Sequence, residues 1–364
     1  MSDTIAYIGL GSNLGDRLAY INKALKMLNR TRQIKVIMST DPVETQPLGD
    51  IEQPCYLNAV AEIKTSLDVD KLYRRMMRIE NTLGRERTEK WAPRTIDLDL
   101  LLFAEDVIKT DELTVPHSEM HLRSFVLEGI RQLNPQLRHP LLKLTVSELA
   151  DRLKGCDFTV DTKRPQLVSI AGVIGVGKTT LVQKLAKSLG GEKALEPYDT
   201  NPYLSDVYAG NQELALHSQL YFLNEREKQL SSDTLKAGEV IFSDYFFDKE
   251  IIYGKMTLSE SQFEIYEPIY LVCGDKIAWP VLIIYLKDTA ANSLKRIRSR
   301  NRPYERKINV EFLESLNERY EKLLADWKGC PMITIDKSNF DCNDESDIEW
   351  LENQIEHYIV SDNP

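Results

Sequence analysis

Residues 167–189, LVSIAGVIGVGKTTLVQKLAKSL, decide the fold of the half of the chain in which they lie. LVSIAG is a short apolar run suited to a buried strand, and TLVQKLAKSL spaces its apolar residues as a helix does. The turn between them fits G-x-x-x-x-G-K-[ST] through Gly172, Gly177, Lys178 and Thr179, in the strand-then-helix setting that the motif requires. There, backbone N–H groups and the helix N-terminus cradle phosphate oxygens, Lys178 offers a point charge to the β/γ-phosphates, and the Thr179 hydroxyl faces Mg2+. Gly175 and Thr180 complete the nucleotide-holding loop. Downstream, EVIFSDY and PVLIIYL read as further strands between helical stretches, so this half is expected to be α/β with a parallel sheet. The acidic stretch DCNDESDIEW reads as a solvated loop and helix start.

Upstream of the loop, KGCDFTVDTKRPQ is polar, breaks the periodicity and carries a proline near its end, which marks a join between two domains. The expected division is 1–155, a linker at 156–166, and 167–364. A length of 364 residues, 42% hydrophobic and 28% charged, supports a core in each part. The first part runs strand (IAYIGL), helix (DRLAYINKALKMLNRT), strand (KVIMST), loop, strand (YLNAVAEIKT), helix (VDKLYRRMMRIENTLG) and the strand RTIDLDLLLF. Two helices among several strands predict an α+β sandwich with the helices on one face of the sheet.

In RTIDLDLLLF, residues 94–103, a period of two puts Asp97 and Asp99 on one face. Roughly 6.6 Å apart, two full charges repel by about 2.5 kcal/mol at an effective dielectric near 20. An exposed edge strand with solvated acids is one reading of that pair. The other is a seat for Mg2+, which commonly bridges one or two carboxylates to substrate phosphates. Arg85, Arg87 and Arg94 before the strand, and His117 and Arg123 after it, favour the metal reading and phosphoryl-type transfer.

A net charge of −10 argues against a general binder of nucleic acid or anionic membrane. The five cysteines are scattered with no C-x-x-C pair, as expected of free thiols in a reducing compartment. The start of the sequence lacks a secretory pattern and no apolar run is long enough to span a bilayer, so a cytoplasmic location is expected. GLGSNLG misses the dinucleotide fingerprint because Leu14 stands where its third glycine belongs, and HSEMH has Ser118 where a zinc protease needs Glu.

The blocks YIGLGSNLGDR, TQPLG, QPCYLNA, RIENTLGRERTEKWAPRTIDLDLLLF and LTVPHSEMHLRSFVL resemble the 6-hydroxymethyl-7,8-dihydropterin pyrophosphokinases of folate synthesis, over residues 3 to about 150. The resemblance implies a ferredoxin-like fold and transfer of a pyrophosphoryl group from ATP to the pterin hydroxymethyl oxygen, with AMP released. It implies that Asp97 and Asp99 hold two Mg2+, and that Glu80, Arg85, Arg87, Arg94, Thr114, His117 and Arg123 serve ATP. Arg85 and Arg94 join the two aspartates as catalytic groups. Thr45, Leu48, Tyr56, Asn58, Trp91 and Phe125 would form the pterin pocket, with Trp91 and Phe125 stacking on the ring.

From residue 167 to about 335 the chain is similar to the deoxynucleoside kinases, through its phosphate loop, EPYDTNPYLSDVY, VYAGNQELALHSQLYFLNER and RIRSRNRPYERK. That likeness implies Glu196 as the catalytic base at the 5′-hydroxyl, with Tyr208, Gln219, Arg226 and Glu305 also on the nucleoside. Arg296, Arg300 and Arg302 would form a lid over the phosphates, and Asp244 would share the metal with Thr179. Tyr245 stands where relatives carry arginine, with Lys249 as the substitute on offer. A homodimer through the kinase half is also implied. A nucleoside monophosphate kinase and a non-catalytic nucleotide-sensing module remain alternatives for this half. Glu196 near the acceptor favours a hydroxyl over an anion.

Overall fold

In the computed structural model residues 3–48, 53–85 and 92–360 are described, and the chain divides into two units, 1–159 and 160–364. Arg87 and Trp91 lie outside the described residues.

The first unit begins β1 (Thr4–Ser12), α1 (Arg17–Arg30), β2 (Ile34–Ser39), β3 (Val43–Thr45), β4 (Tyr56–Thr65), α2 (Val69–Thr82) and β5 (Asp97–Phe103). Asp16 and Asp68 cap the two helices by accepting from backbone N–H groups of the first turn. The sheet is antiparallel in the order β2-β4-β1-β5, with β3 added to β4. A small ribbon of β6 (Ile108–Lys109) and β7 (Thr114–Val115) precedes α3 (Ser124–Leu133) and α4 (Val146–Leu153).

The expectation of helices on one face needs correction, because both faces are covered. Ile8, Leu10, Ala59, Ala61 and Leu100 pack with α1 and α2. Tyr7, Val60 and Leu101, which point the other way, pack with α3 and α4. The central strands are apolar at both parities, so neither face can be left to water. Helix α3 lies close on the sheet at Gly129, where an added Cβ would come 2.5 Å from Val60 Cγ2.

The segment between the units is packed at both ends. Phe158 donates its N–H to Leu122 O at 2.9 Å and joins the α3/α4 core. The Gln166 side chain donates to the carbonyls of Asp161 and Arg164 at 2.9 and 2.8 Å.

The second unit runs β8 (Gln166–Ala171), α5 (Lys178–Ser188), β9 (Glu192–Ala194), α6 (Leu204–Ala209), α7 (Ala215–Leu230), β10 (Val240–Ser243), α8 (Lys249–Thr257), α9 (Glu260–Gly274), β11 (Leu282–Lys287), α10 (Ala290–Arg300), α11 (Val310–Ala325), β12 (Met332–Asp336) and α12 (Glu345–Glu356). Its strands form the expected parallel sheet, ordered β12-β11-β8-β10-β9. β8 is wholly buried at the place where the strand order reverses, the usual position for a ligand crevice in such sheets. The loop after it needs glycine for two reasons. Gly175 has φ +81°, and a Cβ there would sit 2.7 Å from Ser293 O. All five cysteines are unpaired. Among the described residues no helix is long and apolar enough to cross a membrane.

Candidate active sites

On the first unit, β1 sets the register of the acidic strand by pairing Gly11 with Asp97 and Gly9 with Asp99. Alternation then aims both acids toward the α3 side, at the edge strand of the sheet. They line a cavity of about 120 Å³ with Arg94, His117 and Arg123, and with Thr45, Leu48, Tyr56, Asn58 and Phe125. Asn58 donates to Thr45 Oγ1 at 2.7 Å, which joins β4 to β3 across the cavity wall. An added Cβ on Gly11 would reach within 2.7 Å of Asn58 Oδ1, so the glycine keeps that wall thin.

Asp97 is held between two arginines, Arg85 at 2.5 Å and Arg94. Behind them Glu80 bonds Arg85 and accepts the Leu98 N–H at 2.8 Å. Burial pushes the Glu80 carboxyl up to about 7 against the pull of Arg85. Burial and then the Asp97 charge push Asp99 up to about 6, while His117 and the arginines pull the other way. Two crowded acids beside three cationic side chains make a donor set suited to a hard cation that brings phosphate with it. Thr114 is exposed on β7, paired with Lys109, and does not line the cavity.

On the second unit a cavity of about 620 Å³ opens beyond the C-terminal ends of β8, β9 and β10. Gly175, Gly177, Lys178, Thr179 and Thr180 of the phosphate loop line it, facing Glu196, Tyr208, Gln219, Arg226 and Asp244. Arg296, Arg300, Arg302 and Glu305 line the same space; Gly172 lies at the root of the loop. Lys178 Nζ donates to the carbonyls of Gly172 and Val173, each at 2.9 Å, and burial lowers the pKa of its ammonium. Thr179 donates its hydroxyl to Asp244 at 2.5 Å, and Asp244 also accepts the Glu196 N–H at 2.8 Å.

Glu196 takes Lys249 Nζ at 2.6 Å and a second cation from Arg226. Burial alone would raise its carboxyl, but the Lys249 and Arg226 charges prevail and hold it well below the usual carboxylate range. Lys249 is buried on α8, and burial with the neighbouring Arg226 lowers it to about 7 despite Glu196. Arg226 also pairs with buried Glu250, which accepts from Tyr266 on α9. Tyr245 occupies the core, bonding Gln229 at 2.6 Å through its hydroxyl, and takes no part in the cavity lining. Among these arginines, Arg296 is held by Asp288 and donates to Gly175 O at 2.6 Å, while Arg300 donates to Glu305 at 2.7 Å. Arg302 lies 4.0 Å over the Tyr198 ring. Gln219 donates to Thr257 at 3.0 Å. Glu250 and Tyr198 went unread in the sequence because each acts through a partner well separated in the chain, and Asp288 because its link to Arg296 spans the turn from β11 into α10.

An arginine and carboxylate cleft on an antiparallel sheet and a glycine loop on a parallel one define two transferases of phosphorus-containing groups. Residues 7–135 match the family 7,8-dihydro-6-hydroxymethylpterin-pyrophosphokinase (HPPK), and residues 168–360 match the family deoxynucleoside kinase. The first part is 43% identical over 135 residues to 2-amino-4-hydroxy-6-hydroxymethyldihydropteridine pyrophosphokinase of Bacillus subtilis (strain 168), covering 37% of this chain and 81% of that one. The second is 35% identical over 202 residues to a deoxyguanosine kinase of the same organism, covering 53% of this chain and 97% of the relative. It is also 31% identical over 205 residues to that organism's deoxyadenosine/deoxycytidine kinase, covering 54% and 94%. The chain belongs to the HPPK family through its first unit and to the deoxynucleoside kinase family through its second, and is a bifunctional enzyme.

Proposed function

We propose that the first unit moves a pyrophosphoryl group from ATP to the hydroxymethyl oxygen of 6-hydroxymethyl-7,8-dihydropterin, releasing AMP. The second moves a single phosphoryl group from ATP to the 5′-hydroxyl of a deoxynucleoside, releasing ADP. The observation that carries this reading is the different construction of two anion-facing sites: side-chain arginines on Asp97 in one, a glycine loop running into α5 at Lys178 in the other.

In the first site Thr45, Leu48, Tyr56, Asn58 and Phe125 enclose the pterin, while Arg85, Arg94, His117 and Arg123 take the phosphates. Asp97 and Asp99 would hold Mg2+, which supplies charge neutralisation on the transferred oxygens. In the second, Glu196 accepts the 5′-hydroxyl proton, Tyr208, Gln219, Arg226 and Glu305 orient the nucleoside, and Arg296, Arg300 and Arg302 cover the phosphates. Thr179 and Asp244 would hold Mg2+ there, and Lys249 stands in for the arginine replaced by Tyr245. The ionised Glu196 at the acceptor favours a neutral hydroxyl over a monophosphate.

The β1-α1-β2-β4-α2-β5 sequence with sheet order β2-β4-β1-β5 supports a ferredoxin-like core. Residues 1–155 and 167–364 are taken as the two catalytic domains, with 156–166 joining them. The exposed apolar stripe of α9, Ile265, Ile269 and Val272 at helical spacing, supports a homodimer through the kinase unit. Unpaired thiols agree with a cytoplasmic location.

Product analysis of labelled ATP, with pterin and deoxynucleoside supplied separately, tests the reading. Lys178→Met is expected to abolish deoxynucleoside-dependent ADP formation and leave pterin-dependent AMP formation intact, with Asp97→Ala giving the reverse. Loss of both activities from either change, in folded protein, would overturn it.

A further inference from the structure

We propose that Asp157, near the end of the first unit, is a positioning residue of the pyrophosphokinase site that fixes the start of α3 and so the placement of Phe125. This inference rests on the pyrophosphokinase reading of the first unit.

Helix α3 begins at Ser124, and its N-cap position is Arg123, which makes no side-chain cap hydrogen bond. The helix start therefore has N–H groups that its own sequence does not satisfy. Asp157 satisfies one from far along the chain: its Oδ1 accepts the Ser124 N–H at 2.5 Å, and the Phe125 N–H also bears on the same carboxylate. The chain is steered to that point by local structure. Lys154 and Gly155 follow α4 with φ +49° and +79°, a left-handed pair that reverses the direction of the chain. Phe158, the next residue after Asp157, is then pinned by its bond to Leu122 O at 2.9 Å and by the α3/α4 core.

Asp157 is thus fixed on both sides and lines the same cavity as Phe125, Arg123 and Asp99. Its carboxylate lies within reach of the Arg123 charge, and Arg123 itself is paired with Glu119 at 2.5 Å. The pyrophosphokinase family match ends at residue 135. The part of this chain needed to hold the pterin wall extends beyond it, to the end of the first unit.

The test uses the full chain with Asp157→Ala and Asp157→Asn, reading pterin-dependent AMP formation, pterin binding by fluorescence and the unfolding temperature. Asparagine caps a helix about as well as aspartate, so it preserves the position and removes the charge. Misplacement of a binding wall by about 1 Å can cost up to about 10²-fold; Asp157→Ala is expected to raise the pterin KM about tenfold or more, with the ATP KM moving less than about threefold. Asp157→Asn should bring the pterin KM back to within about threefold of wild type. Deoxynucleoside-dependent ADP formation should be unchanged in both. A pterin KM within about twofold of wild type in folded Asp157→Ala, or an Asp157→Asn protein as impaired as Asp157→Ala, would overturn the proposal. If Asp157→Ala lowers the unfolding temperature, the asparagine variant alone decides between these outcomes. A wild-type protein that forms no AMP with pterin would instead sink the underlying reading.

Discussion

Glu196 is held by two cations, and a carboxylate so well stabilised is a weak base at rest. Its proposed use as a proton acceptor depends on geometry, since the same contacts leave it ionised, held in place and lining the cavity. Glu196→Gln keeps the shape and removes the acceptor, so the deoxynucleoside-dependent turnover number should fall by about 10²–10⁴; steady-state kinetics with substrate affinity measured separately will show it. Lys249→Met tests the other half of the arrangement. Glu196 must be ionised to act, and Lys249 depresses its pKa, so loss of the ammonium should move the acid limb of kcat/KM toward higher pH. A profile that keeps its acid limb in place would show Arg226 to be sufficient. Glu196 was marked by the resemblance to the deoxynucleoside kinases, as an acid shortly after a strand. Its support by Glu250 and Tyr266 was not legible there, since those partners meet only when α7, α8 and α9 pack together.

Helix α3 illustrates how an element serves a site at one end through packing at the other. Gly129 lets it settle on Val60, while Phe125 at its start lines the proposed pterin cavity. Gly129→Ala gains about 1 kcal/mol of helix propensity but forces a methyl group into a close contact, a class of change that costs about 1–3 kcal/mol. Net destabilisation is expected, together with a higher pterin KM, and Val60→Ala in the same chain should relieve both. Thermal unfolding and initial-rate kinetics of the single and double variants form the double-mutant cycle that checks this. The period of two in β5 and the run into α5 were legible because each element states its own pattern. The second layer of helices was not, because the strand parity that buries Tyr7, Val60 and Leu101 also resembles ordinary aliphatic content until α3 and α4 are placed on it.

At the scale of the whole molecule, two enzymes share one chain through a segment whose polarity marked it in the sequence but whose packing did not show there. Asp157 and Phe158 are fastened to the first unit, and Gln166 gathers the other end. Association of chains is expected through α9, where Ile265 is 57% exposed, Ile269 40% and Val272 57% on one stripe. Ile269→Asp should therefore shift the protein to a monomer in light scattering coupled to size-exclusion chromatography, and an unchanged mass would remove α9 from the interface. The net charge of −10 sets a further condition on binding ATP. Arg85 and Arg94 already face Asp97, Arg296 faces Asp288 and Arg300 faces Glu305. An arriving polyphosphate is thus expected to exchange with a tethered carboxylate, with few free ions taking part. Where a protein making about six to ten phosphate contacts on nucleic acid loses about 10³-fold or more between about 50 and 200 mM salt, the dissociation constant for ATP at each site should change by less than about tenfold over that range, as calorimetric titration would register. Such a result would mean that binding tolerates swings in ionic strength because its counterions are part of the polypeptide.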